Sequence, residues 1–184
     1  MVIFSIEDNE GGKSEMRENK IVKACNFYVS EWHLFAALLP YLKEELKNNH
    51  KVIFITQDKL EKGLKELVEK INIKFENPNG INDITWLNEN FIMEIKEECT
   101  PVSIIVQGTY EFIEEVNKYL QENLVNMYRD CKIINCYEVF DTNNMLQNIL
   151  EKHEYVFNTG GLYRKEEIFP DYKSENFKSS VSWD

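Results

Sequence analysis

The chain lacks a Cys-x-x-Cys pair, a complete phosphate-binding loop, a Lys/Arg tract and any long apolar run. Its four cysteines, Cys25, Cys99, Cys131 and Cys136, have no close spacing with the three histidines. No His/Cys/carboxylate set therefore has metal-ligand spacing, and no metal or other cofactor is expected. Cys25, Cys131 and Cys136 lie in apolar runs, where cysteine acts as a small core residue. Basic residues number 21 against 32 acidic ones, a net charge of -11. Such a surface repels phosphate backbones and anionic lipid, which excludes nucleic acid as a direct partner. No run approaches the ~20 apolar residues of a membrane helix, so no membrane partner is expected. Met1 to Ile6 is short and meets Glu7-Asp8 at once, unlike a signal peptide. A reducing cytoplasm is the expected compartment. There is no internal repeat.

What the chain does have is a core. An apolar share of 43% and an aromatic share of 12% over 184 residues suit one α/β domain. We read residues 1–184 as that single domain, with a polar N-terminal segment at 7–20 and a partly ordered tail at 165–184. Val2 to Ile6 reads as a short edge strand and Ala24 to Val29 as a strand. Ser30 then caps a helix from Glu31 to about Asn48. Trp32, Phe35, Leu38, Leu39, Leu42 and Leu46 form its apolar stripe, and Pro40 predicts a kink. Val52 to Thr56 and Val102 to Val106 are nearly all apolar, the pattern of central parallel strands. Asp58 and Glu61 have capping-box spacing for a helix through about Lys70. Ile73 to Phe75 reads as a short strand, Asn77 to Gly80 as a turn, and Ile81 to Cys99 as a helical or mixed segment. Thr109 caps a helix over about Tyr110 to Tyr128. Lys132 to Phe140 is the third strong strand. Asp141 or Thr142 caps the next helix, and Tyr155 to Asn158 is the last strand. This is the strand–helix–strand grammar of an open α/β sheet.

Several residues invite a functional reading, and each has a plainer one. Gly11-Gly12-Lys13-Ser14 resembles the end of a phosphate loop, but Glu7 stands where the first glycine belongs and three carboxylates oppose an anion. A polar loop is the plainer reading. The turn at Ser30 and His33 offers neither glycine nor lysine. His33 is a ligand group there or an ordinary surface histidine. Gln107 ends the second central strand, where an ATPase often carries a magnesium-binding aspartate. Glu138 follows an apolar run near a strand end, where burial would require a partner or a raised pKa; a ligand or network role stands against the plainer reading of a solvated strand end. His153 lies in a last helical turn, where a structural cap is the plainer role. Gly160-Gly161 relieves a turn or offers backbone amides to an anion. Open α/β sheets bind ligands beyond their strand C-termini. The candidate ligand residues are therefore Tyr28, Ser30, His33, Gln107, Glu138, His153, Gly160 and Gly161. No catalytic or metal-binding set accompanies them.

Two stretches resemble the MEDS domain, the methanogen/methylotroph sensory domain of dichloromethane-responsive regulators and some histidine kinases. The first runs from Cys25 to Thr56: a strand ending in Phe27-Tyr28, an acidic helix start, Pro40-Tyr41-Leu42 and an apolar strand. The second runs from Asn135 to Tyr163. It includes Asn135-Cys136-Tyr137-Glu138, the helix ending at His153, and glycines before Leu162-Tyr163. The chain departs from the family at Lys23 and Ala24, where a histidine is usual, at Glu138 for aspartate, and at Glu154 for proline. The resemblance implies a three-layer α/β/α, mostly parallel RecA-like sheet without a functional phosphate-binding loop. It also implies a non-catalytic role in sensing or regulation. On this reading the ligand is an unknown small molecule, output passes through a regulatory protein partner, and a homodimer is compatible. The rival readings are a degenerate nucleotide-binding protein and a structural interaction module.

Overall fold

A computed structural model describes residues 20–87, 101–123, 130–141, 145–159 and 161–173. Its strands are β1 (Lys20–Tyr28), β2 (Lys51–Thr56), β3 (Thr85–Leu87), β4 (Val102–Gln107), β5 (Asp130–Glu138), β6 (Tyr155–Asn158) and β7 (Gly161–Arg164). The helices are α1 (Glu31–Lys47), α2 (Leu60–Lys70), α3 (Tyr110–Asn123), α4 (Leu146–Lys152) and the single turn α5 (Lys165–Ile168). The strands form one sheet in the order β3-β2-β4-β5-β1-β6-β7. Every neighbouring pair is parallel except β6 and β7.

The direction of each crossover decides which face it covers. From β1 the chain passes through α1 to β2 on one side of the order. From β4 through α3 to β5, and from β5 through α4 to β6, it moves the opposite way. Right-handed crossovers then lay α1 and α2 on one face and α3 and α4 on the other. Two cores follow. Leu34, Phe35, Leu38 and Leu42 of α1 and Leu60 and Leu64 of α2 pack on Ala24, Phe54, Ile105, Ile134 and Phe157. Ile113, Val116 and Leu120 of α3 and Ile149 and Leu150 of α4 pack on Cys25, Ile53, Ile104, Val106 and Tyr137. The result is a three-layer α/β/α fold. β4 is buried along its whole length, as its unbroken apolar run requires.

Several local expectations need correction. Ile73 to Phe75 is not a strand; the edge strand is Thr85–Leu87, inside the segment read as helical or mixed. Trp86 holds it there by stacking on Phe54 at 4.4 Å. Asp58 does not cap α2, whose N-cap is Lys59 without a side-chain bond. Trp32 is exposed, not part of the buried stripe. α1 runs through Pro40 as one element. Pro40 and Ala36 are both exposed, so the Ala36 carbonyl deprived of its amide partner faces water. Beyond Tyr155–Asn158 a further strand, β7, forms a hairpin with β6, and buried Tyr172 packs back onto the second core. The readings of Val2 to Ile6, Gly11 to Ser14, residues 88–99, residues 124–128, Thr142, Gly160 and most of the tail lie outside the described residues. Among the described residues, no helix is long and apolar enough to cross a membrane.

Candidate functional site

Strand order creates the site. At the C-terminal edge, β5 leaves toward one face and its neighbour β1 toward the other. The same holds for β4 and its neighbour β2. Crevices open where adjacent strands diverge in this way. The pleat then selects which side chains meet. Tyr28 and Glu138 are register partners on β1 and β5, and Thr56 and Gln107 are partners on β2 and β4. By alternation with buried Ala24, Phe54, Ile105 and Ile134, all four lie on the α1/α2 face.

Gln107 is the centre of this row and only 2% exposed. Its Nε2 donates to the Tyr28 hydroxyl at 2.8 Å and to Asp58 Oδ2 at 2.7 Å. A carboxylate can only accept, so the amide nitrogen must face Asp58. That leaves Gln107 Oε1 buried without a hydrogen-bond partner. Burial raises the Tyr28 phenol well above its usual range; the Gln107 bond opposes this, while Cys136, Glu138 and Asp58 add to the rise. Tyr28 is a neutral hydrogen-bonding group here, not a base.

Both turns beside this row are sealed by the chain itself. Val29 and Ser30 alone separate β1 from α1. Ser30 Oγ accepts from the His33 amide at 3.3 Å, and His33 Nδ1 accepts from the Val29 amide at 3.4 Å. The imidazole proton therefore resides on Nε2, and the first helical turn has few free amides to offer an anion. Between β2 and β4, Gln57 Oε1 accepts from the Thr109 amide at 2.7 Å, and Thr109 Oγ1 caps α3 by accepting from Phe112. Gly108 is required there: a Cβ would lie 2.5 Å from both Gln57 Oε1 and Phe112 Cδ1.

Of the residues singled out in the sequence, Tyr28, Ser30, His33, Gln107 and Glu138 share this edge. Gly161 lies at the β6–β7 turn, with φ +117. Gly160 is outside the described residues. His153 belongs elsewhere. It ends α4 on the opposite face, 2% exposed, with Nε2 2.8 Å from Asn135 Nδ2 and Nδ1 2.6 Å from the Ile149 carbonyl. A carbonyl accepts only, so Nδ1 carries the proton and Nε2 accepts from Asn135. Burial pushes this imidazole down to about 4.

Sequence reasoning passed over Asp58 as more than a cap. The usable signal was its place just past an apolar strand, the same place that singled out Gln107. A second polar group also went unnoticed. Glu45, 4% exposed, meets Lys132 at 2.7 Å, His50 at 3.2 Å and the Ser103 hydroxyl, which also bonds Tyr41 at 2.8 Å. This cluster sits toward the strand N-termini, away from the crevices. Burial acts to raise the Glu45 carboxyl, but Lys132 and Ser103 outweigh it and hold it low.

Beside Asp58, at the ends of β2 and β3, lies an open groove of about 810 Å³ walled by Trp86 and α2. Among the described residues, no three His, Cys, Asp or Glu side chains converge as a metal site. Compared with known proteins, the chain matches no family model, no curated protein and no solved structure.

Proposed function

We propose that the chain is a non-catalytic, RecA-like sensory or regulatory domain. It binds a small molecule at the C-terminal edge of its sheet and passes the state of that edge to a partner protein. The observation that carries this reading is the two-residue turn after β1, sealed by Ser30 and His33. A triphosphate cradle needs a longer, glycine-bearing loop with free amides and a lysine. The strand end that would hold a magnesium-binding carboxylate holds Gln107, already engaged with Tyr28 and Asp58. The edge is built from neutral hydrogen-bonding groups and carboxylates, which suits recognition better than phosphoryl transfer. The motifs shared with the MEDS domain support sensing over enzymatic use. Val29, Trp32 and Phe140 are exposed close to this edge, which supports a protein partner there.

Calorimetric titration of the full chain with ATP, with and without magnesium, tests the reading. Native mass spectra of freshly purified protein test for a retained small molecule. We expect no magnesium-dependent ATP binding and a copurified or added small molecule on the folded chain. Tight magnesium-dependent ATP retention, lost in Lys13→Ala, overturns the proposal.

A further inference from the structure

A lysine faces inward on the other side of the sheet. Alternation with Cys25 puts Lys23 on the α3/α4 face of β1, half-buried in the first part of the strand. The chain has 32 acidic residues against 21 basic ones, yet among the described residues no carboxylate lies within ion-pair distance of the Lys23 ammonium. Lys152, which shares a groove with it, is already held by Glu114. The other charged groups beside it, Lys118, Glu122 and Glu154, are exposed and solvated. Lys23 and Gln121 line two cavities at once. The first, of about 480 Å³, lies between α3 and α4 and is lined by charged and amide side chains, with His153 at the end of α4. The second, of about 430 Å³, is walled by Ile21, Ile104, Leu120, Cys131 and Ile133. A lysine stem is apolar and its head is charged, so this one side chain suits the boundary between them. Both cavities have the size of small-molecule pockets.

We propose that the two cavities together bind a small organic carboxylate with an apolar body. The carboxylate sits on the Lys23 ammonium, and the body lies against Ile21, Leu120 and Ile133. The residues come from the N-terminal halves of β1, β4 and β5, on the opposite face from the Gln107 row. This is therefore a second site, independent of the one at the C-terminal edge. A carboxylate beside Lys23 supplies the counter-charge that the chain withholds, through a charge-assisted hydrogen bond that salt screens less than at the open surface. The apolar wall adds the transfer of the body out of water. An ammonium in the same place would meet Lys23 as a like charge, and an alcohol would gain the apolar contact alone.

The test is nuclear magnetic resonance of the full, carbon-labelled chain titrated with octanoate. Octanol, octylammonium and acetate serve as the neutral, cationic and bodiless controls. The expected result is saturable shifts of the Ile21, Leu120 and Ile133 methyl groups and of the Lys23 ε-methylene with octanoate. Octanol should bind about tenfold or more weakly, the worth of one charge-assisted hydrogen bond, and octylammonium and acetate should not saturate. Lys23→Met, which keeps the apolar stem, should bring octanoate down to the affinity of octanol and leave octanol unchanged. Lys23→Arg should retain octanoate. Octanol matching octanoate on the parent chain, or octylammonium binding better than either, overturns the charge assignment without recourse to a variant. Acetate matching octanoate overturns the apolar half of the site. If no probe shifts these resonances, or if Lys23→Met leaves octanoate affinity unchanged, the site falls.

Discussion

His153 allows a quantitative prediction. Its imidazole is buried, with Nδ1–H given to Ile149 and Nε2 occupied by Asn135. A second proton would have to enter at Nε2, against an amide N–H, in a side chain withdrawn from solvent. The folded chain therefore resists protonation until about pH 4, whereas an unfolded chain takes the proton near 6.5. Between those values the unfolded state binds more protons, so stability falls as pH falls. The contribution is complete above 6.5 and lost by about 4. Each pH unit in this window is worth about 1.4 kcal/mol, and the whole span about 3 kcal/mol. Urea unfolding at pH values from 7.5 to about 4, on the parent and on His153→Gln, isolates the effect, because carboxylates common to both proteins cancel in the difference. At neutral pH the variant should be less stable by about 1–3 kcal/mol through its lost hydrogen bonds. That deficit should shrink as pH falls. A difference that stays flat from pH 6.5 to 4, or ring resonances of His153 that titrate near 6.5, would refute the reasoning.

The remaining predictions concern packing and the ion pair of Glu45 with Lys132. Lys132→Met leaves the buried Glu45 carboxylate to Ser103 and His50 alone; because the lysine is itself partly exposed, the cost in chemical denaturation should be about 1–2 kcal/mol, most of it recovered by adding Glu45→Gln. Because Glu45 is held below the usual carboxyl range, its contribution is present at neutral pH. It should disappear only as acid titrates it below the ordinary carboxylate value. Gly108→Ala drives a methyl into Gln57 and Phe112 and should destabilise by about 1–3 kcal/mol, seen as a lowered melting temperature. Gly63→Ala, whose nearest neighbour is the Phe35 ring at 3.1 Å, should cost less.

The sheet was legible because its signals are local. Unbroken apolar runs in Val52–Thr56 and Val102–Val106 mark strands covered on both faces, and three-and-four spacing marks the helices between them. Thr85–Leu87 escaped because three residues carry no period; their strand character comes from pairing with β2 and from Trp86 meeting Phe54. β7 escaped because its exposure alternates at an edge, with no run to betray it. At the candidate site, the end-of-strand rule found Tyr28, Gln107 and Glu138. It placed His153 with them because helix ends and strand ends look alike in sequence, although only the strand C-termini gather at one edge. Asp58 hid behind its cap spacing with Glu61. Its bond to Gln107 joins residues whose neighbourhood exists only once β2 and β4 pair.

The pairing of Lys20–Tyr28 with Asp130–Glu138 has a consequence for how the chain comes into being. The earliest described strand finds both its neighbours, β5 and β6, only in the last third of the polypeptide. During synthesis β1 waits, apolar and unpaired, while β2 and β4 can already zip together. Such distant closure slows folding and lengthens exposure to aggregation. A nascent chain stopped before residue 130 keeps β1 without its β5 and β6 partners.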